Sequence, residues 1–96
     1  MRIVSHPEAS AELEATALWY EERHLGLGSD FLDEFEHTLR RIEANPERWR
    51  KILGDNRRLN FERFPYAIVY SVGVDTLHIK AVMHARRRPF YWKDRV

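Results

Sequence analysis

The chain has no cysteine, only four glycines and four prolines, and no long apolar run. Without cysteine there is no disulfide, no thiolate zinc site and no thiol nucleophile, a usage that suits a reducing cytosol. No stretch reaches the ~18 apolar residues of a membrane span, and the N-terminus lacks a signal-peptide core, so a cytoplasmic location is expected. Scattered glycines exclude a phosphate-cradling loop: Gly26 and Gly28 are not followed by a third at the required spacing. Net charge is also scarce, at +1, but that figure conceals a division. Residues 1–46 hold 4 Lys/Arg against 10 Asp/Glu, a net of −6, whereas residues 47–96 hold 12 against 5, a net of +7.

What is present is enough for one small folded domain spanning residues 1–96. A chain of this length buries roughly 60–70% of its unfolded surface, and 44% hydrophobic content with 5 Phe, 4 Tyr and 3 Trp argues against disorder. Arginine outnumbers lysine 13 to 3. A GC-rich genome would produce that bias, and so would bidentate recognition of phosphates or carboxylates.

Hydrophobic spacing outlines the elements. Arg2 to Ser5 is a short strand. Pro7 at a first helical position and Glu8 at the positive dipole end mark a helix start. Ala9, Leu13, Ala17 and Tyr20 share one face of that helix, and Trp19 widens the stripe toward the core. After a Leu25–Ser29 break, with Ser29 as the expected N-cap, a second helix carries Phe31, Leu32, Phe35, Leu39 and Ile42 until Asn45-Pro46 stops it. A short link predicts an antiparallel helical hairpin. Residues 47–56 read as an irregular basic connector. Three strands follow, Arg57–Phe61, Tyr66–Val72 and Leu77–His84, the last two joined by a turn at Gly73–Thr76. The expected fold is α+β, a helical hairpin on a three- to four-stranded antiparallel sheet.

Strict alternation then assigns faces. Leu59, Phe61, Ile68, Tyr70, Val72, Leu77, Ile79, Ala81 and Met83 should meet the helices. Arg58, Asn60, Ala67, Val69, Ser71, His78, Lys80, Val82, His84 and Arg86 should form an open basic face.

The richest stretch is His84-Ala85-Arg86-Arg87-Arg88-Pro89-Phe90-Tyr91-Trp92-Lys93. Arginine forks match phosphate oxygens, and aromatic faces stack on bases or fill a partner's pocket. Arg58, His84, Arg86 and Tyr91 are the residues a ribonuclease would use, with arginines on the developing phosphorane charge and His or Tyr moving protons. A solvated basic strand end with a structural Tyr is the plainer interpretation. His78 and His84, six apart on one strand, would lie ~20 Å from each other, too far to share a metal, and no other His has a carboxylate at ligand spacing. No metal and no cofactor are expected. Glu21-Glu22 and Glu34-Glu36 read as solvated helix charges. Trp49 and Trp92 sit in basic, irregular segments and are candidates for partner contact.

The motifs His6-Pro7-x-Ala9, Trp19-Tyr20-Glu21, Asn45-Pro46, Arg57-Arg58, Phe64-Pro65-Tyr66-x-Ile68-x-Tyr70 and Ala81-Val82-x-His84-x-Arg86-Arg87-x-Pro89-x-x-Trp92 occur in this order along nearly the whole chain. Together they resemble the RelE/ParE superfamily of toxins from type II toxin–antitoxin systems, most closely the ParE, or plasmid-stabilisation, branch. The resemblance implies a growth-inhibiting toxin held by a cognate antitoxin in a hetero-oligomer. ParE-type members poison DNA gyrase, and RelE-type members cleave mRNA on the ribosome. Carried over by position, the nuclease's basic residue on the second strand falls on Arg58 and the arginine after the last strand on Arg86. Its C-terminal aromatic falls on Tyr91 or Trp92. Asn60 and Ala67 stand where two further cations belong. A gyrase inhibitor is therefore the leading expectation, with Arg86, Arg87, Arg88, Tyr91 and Trp92 as target contacts. The antitoxin is expected on Arg58, Val69, His78, Lys80 and Val82. Alternatives are the mRNA endonuclease and an inactive member acting only with its antitoxin in autoregulation.

Overall fold

A computed structural model describes residues 1–96. Two helices pack on one face of a five-stranded sheet. The elements run β1 (Arg2–Ser5), α1 (Pro7–Arg23), α2 (Leu27–Ala44), β2 (Lys51–Leu53), β3 (Asn56–Asn60), β4 (Tyr66–Gly73) and β5 (Thr76–His84). Sheet order is β1-β5-β4-β3-β2. The meander β2 to β5 is antiparallel, and β1 joins its far edge parallel to β5, with Arg2 opposite Thr76 and Ser5 opposite Ile79. The α+β hairpin-on-sheet architecture is the expected one. The sheet departs from the expected antiparallel one at both edges: β1 pairs parallel to β5, and β2 adds a fifth strand within the stretch read as an irregular connector. With three residues beside a register shift, β2 is too short to show periodicity.

Helix α1 starts as Pro7 predicts. The His6 imidazole caps it, Nδ1 accepting from the Glu8 amide at 3.1 Å. Helix α2 begins two residues before the predicted Ser29 cap, behind Gly26 at φ 89°. Its free N-terminal amides are satisfied from the preceding helix: the Glu21 carboxylate accepts from Gly26 N at 2.9 Å and Gly28 N at 3.0 Å. Glu21 is thus a cap rather than a solvated charge. At Gly28 the two helices approach too closely for a side chain, since a Cβ there would sit 2.5 Å from the Ala17 carbonyl oxygen. Glu34, also expected in solvent, is 7% exposed and accepts from the Glu62 amide at 2.9 Å, tying the β3–β4 loop to α2.

The main core lies between helices and sheet: Ala9, Ala17, Phe31, Phe35, Leu39 and Ile42 against Leu59, Phe61, Ile68, Tyr70, Leu77, Ile79 and Val82. Tyr20, Phe31, Phe64 and Tyr66 stack edge-on or tilted within it. Trp19, expected in this core, is 48% exposed. Trp49, expected at a partner interface, packs against the core instead.

The alternation breaks at one residue. Val69 pairs with Ala81 but its neighbour Tyr70 pairs with Ile79, so Lys80 is an extra residue in β5. The extra residue inverts the parity of everything after it. Ala81 and Met83, assigned above to the helix face, lie on the opposite face, while Val82 turns inward to the main core. Nor is the opposite face open. Ala67, Val69, Ala81 and Met83 are covered by Trp92, which is 1% exposed.

Candidate functional site

Strand β5 ends in a tight turn. The Ala85 amide donates to Pro65 O at 2.8 Å, the Arg86 amide to His84 Nδ1 at 3.0 Å, and the Arg87 amide to His84 O at 3.0 Å. These bonds fix the backbone on which Arg86, Arg87 and Arg88 stand exposed. After Pro89 the chain reverses through Phe90, whose φ of 60° is uncommon for a bulky residue. It then lays Trp92 on the sheet, with the Phe90 ring edge-on at 5.9 Å.

Glu12 of α1 anchors this return. Strand β1 pairs with β5 only as far as Ile79, which leaves the Val82 amide without a strand partner. Glu12 Oε1 accepts it at 3.1 Å. The same carboxylate accepts the Tyr91 hydroxyl at 2.7 Å and two guanidinium nitrogens of Arg95 at 2.9 and 3.0 Å. Arg95 Nη1 also donates to Lys80 O at 3.1 Å, and Lys80 Nζ donates to Arg95 O at 3.2 Å. The Arg87 guanidinium lies 3.9 Å from the Tyr91 ring centroid. Burial, reinforced by the Glu12 hydrogen bond and charge, pushes the Tyr91 phenol far above its usual range. The bond to Glu12 holds Arg95 firmly charged against the opposing cost of burial.

This geometry separates the residues the sequence grouped. Arg58 lies on the C-terminal-segment side, its Nε donating to Asn60 Oδ1 at 2.9 Å, beside a cavity of about 190 Å³ bounded by Ile52, Met83, Phe90 and Trp92. His84 lies beyond the bulge on the helix side, edge-on to Tyr66 at 5.0 Å. The sheet therefore stands between Arg58 and His84. Tyr91 is engaged by Glu12. On the other side of the arginine turn, Arg87, Arg88 and Arg95 share a cavity of about 330 Å³ with His6, Glu8, Tyr91 and Asp94.

Three expected contact residues are corrected. Trp92 is core, because it seals the second sheet face. Val69 and Val82 are 0% and 3% exposed, the first in the cluster that Trp92 closes and the second beneath the helices. His78 and Lys80 are half-buried beside the β1 end, lining a small cavity with His6 and Val96. No three His, Asp or Glu side chains converge as a metal site would require. No helix is long and apolar enough to cross a membrane.

Sequence reasoning missed Glu12 and Arg95. In one dimension Glu12 is another acid on an acidic helix and Arg95 another cation on a basic tail. The only signal is that Glu12 borders the apolar positions Ala9 and Leu13.

Comparison with known proteins agrees with the fold. A structure described as a chromosomal ParDE toxin–antitoxin system from P. aeruginosa superposes with a TM-score of 0.65 at 20% identity, over 88% of this chain and 95% of that one. No curated protein matches. The family model described as the ParE toxin of the type II toxin–antitoxin system parDE matches residues 3–89, which include both helices, the sheet from the second residue of β1 onward and the arginine turn. By that match the chain belongs to the ParE toxin family of type II toxin–antitoxin systems.

Proposed function

We propose that this chain inhibits DNA gyrase in the cytoplasm by binding it, and that a cognate antitoxin neutralises it in a hetero-oligomeric complex. One observation carries the reading: Arg86, Arg87 and Arg88 stand exposed on a turn whose backbone is held by hydrogen bonds to His84 and Pro65. An inhibitor needs a rigid surface of matching charge, and preorganising that surface lowers the ordering cost of association. The P. aeruginosa relative, described as a ParDE toxin–antitoxin system, supports an antitoxin partner.

The test is purified chain added to gyrase and relaxed plasmid, alongside pulse labelling of DNA and protein synthesis after induction. Loss of supercoiling, with DNA synthesis failing before translation, is the expected result. Intact supercoiling with rapid mRNA cleavage would replace this reading with the endonuclease. A chain that affects neither process would be the inactive family member.

A further inference from the structure

Trp49 is half-buried against the core, and the arginines around it have no carboxylate partners. The Arg41 guanidinium lies 5.6 Å from the Trp49 ring centroid, and that of Arg48 lies 5.5 Å from it. Arg40 and Arg50 adjoin them in sequence, and both are exposed. None of the four takes part in an ion pair within the chain. Residues 40–51 hold five Lys/Arg against two Asp/Glu, and of the five only Lys51 is paired, with Asp55 at 3.2 Å. The helix dipole accounts for a cation at Arg41, in the last turn of α2. It does not account for Arg48 and Arg50, which lie beyond the Asn45 cap. The loop that carries them is pinned to the sheet. The Tyr70 hydroxyl donates to Pro46 O at 2.7 Å, and Arg57 Nη1 donates to Glu47 O at 3.0 Å and to Trp49 O at 2.6 Å. A guanidinium stacked on a pinned ring loses little freedom when it meets an anion.

We infer that Arg40, Arg41, Arg48 and Arg50 form a phosphate-binding surface for double-stranded DNA. It is distinct from the arginine turn, since none of the four lines a cavity beside that turn. Guanidinium forks match phosphate oxygens, and four unneutralised charges suit a polyanion better than a single carboxylate. Half-buried and with two guanidinium groups against its ring, Trp49 has little surface left for a nucleobase, which disfavours a single strand. The contacts are therefore with the duplex backbone and independent of sequence. Choosing DNA over RNA rests on the gyrase reading above, because DNA is the polyanion held at that target. The phosphate-binding surface itself does not rest on it.

The full chain is titrated into a labelled DNA duplex, its single strand and an RNA duplex of the same sequence, and fluorescence anisotropy is followed across a series of salt concentrations. Each phosphate contact adds about 0.9 to the slope of log affinity against log salt. Arg48→Gln with Arg50→Gln should therefore flatten the slope by about 1.8 and weaken duplex binding at low salt at least ~10-fold. Arg48→Lys with Arg50→Lys keeps the charges and should keep the slope. Arg23→Gln, which removes a cation outside the patch, should leave it unchanged. An unchanged slope in the Gln variant would overturn the surface, as would a slope lost only with Arg86→Ala and Arg88→Ala, or a full chain that does not bind the duplex. Tighter binding of the single strand or of the RNA duplex would overturn the assignment to double-stranded DNA. Gyrase is absent from the experiment. A chain that binds duplex DNA in this way but leaves supercoiling intact would keep the surface and lose only the target reading.

Discussion

Glu12 and Arg95, 83 residues apart in sequence, meet through two hydrogen bonds of 2.9 and 3.0 Å, with side chains only 16% and 10% exposed. This pair turns a basic tail into a fixed part of the fold. Removing one partner leaves the other charge partly buried and strands the Val82 amide and Tyr91 hydroxyl. Glu12→Ala should therefore cost about 2–4 kcal/mol in urea denaturation. In a double-mutant cycle with Arg95→Ala, a coupling below about 0.5 kcal/mol would show the pair to be independent.

Trp92 offers a second test of the same segment. From sequence, a terminal basic stretch should contribute little to the core, yet Trp92 is 1% exposed and closes a cluster of Ala67, Val69, Ala81 and Met83. Trp92→Ala should cost about 3–5 kcal/mol, a large share of a small domain's total stability, and Trp92→Phe should cost less. Near-wild-type denaturation midpoints for the alanine variant would mean the segment does not hold the sheet closed in solution.

The arginine turn separates function from stability, provided the right two residues are chosen. Arg87 stacks on Tyr91 and approaches Glu12 at 4.0 Å, so its loss mixes both effects. Arg86 and Arg88 are exposed, and neither takes part in an ion pair within the chain. Arg86→Ala with Arg88→Ala should change stability by less than about 0.5 kcal/mol and abolish growth inhibition. A soluble double variant that still arrests growth would move the target surface elsewhere.

Tyr91 should make the fold sensitive to alkali. Its folded phenol is raised above the ordinary value of 10.0. Below that pH both folded and unfolded chains keep the proton, and the stabilisation is complete. As pH rises past 10.0 the unfolded chain releases the proton first, so stability falls as the pH climbs further. Tyr91→Phe should show a shallower alkaline decline. Tyr20 and Tyr70, also raised by burial, should leave a residual slope. Identical profiles for the two proteins between pH 9 and 12 would contradict the buried Tyr91–Glu12 bond.

Element types and order were legible in the sequence because they depend on local spacing. Pro7 and Asn45-Pro46 mark where helices can start and stop, and the stripe from Phe31 to Ile42 can only be one face of a helix. Motif order also identified the family. Which side chains share a face was decided by tertiary structure, since one extra residue at Lys80 inverts alternation and nothing in the local pattern marks a bulge. That inversion puts His84 under α1, away from Arg58, and puts Ala81 and Met83 where Trp92 can cover them. The fate of Glu12, Trp92 and Arg95 was decided there too. Charge and aromaticity are properties of a residue, whereas burial depends on contacts made across some 80 positions of chain, which exist only once the sheet has closed.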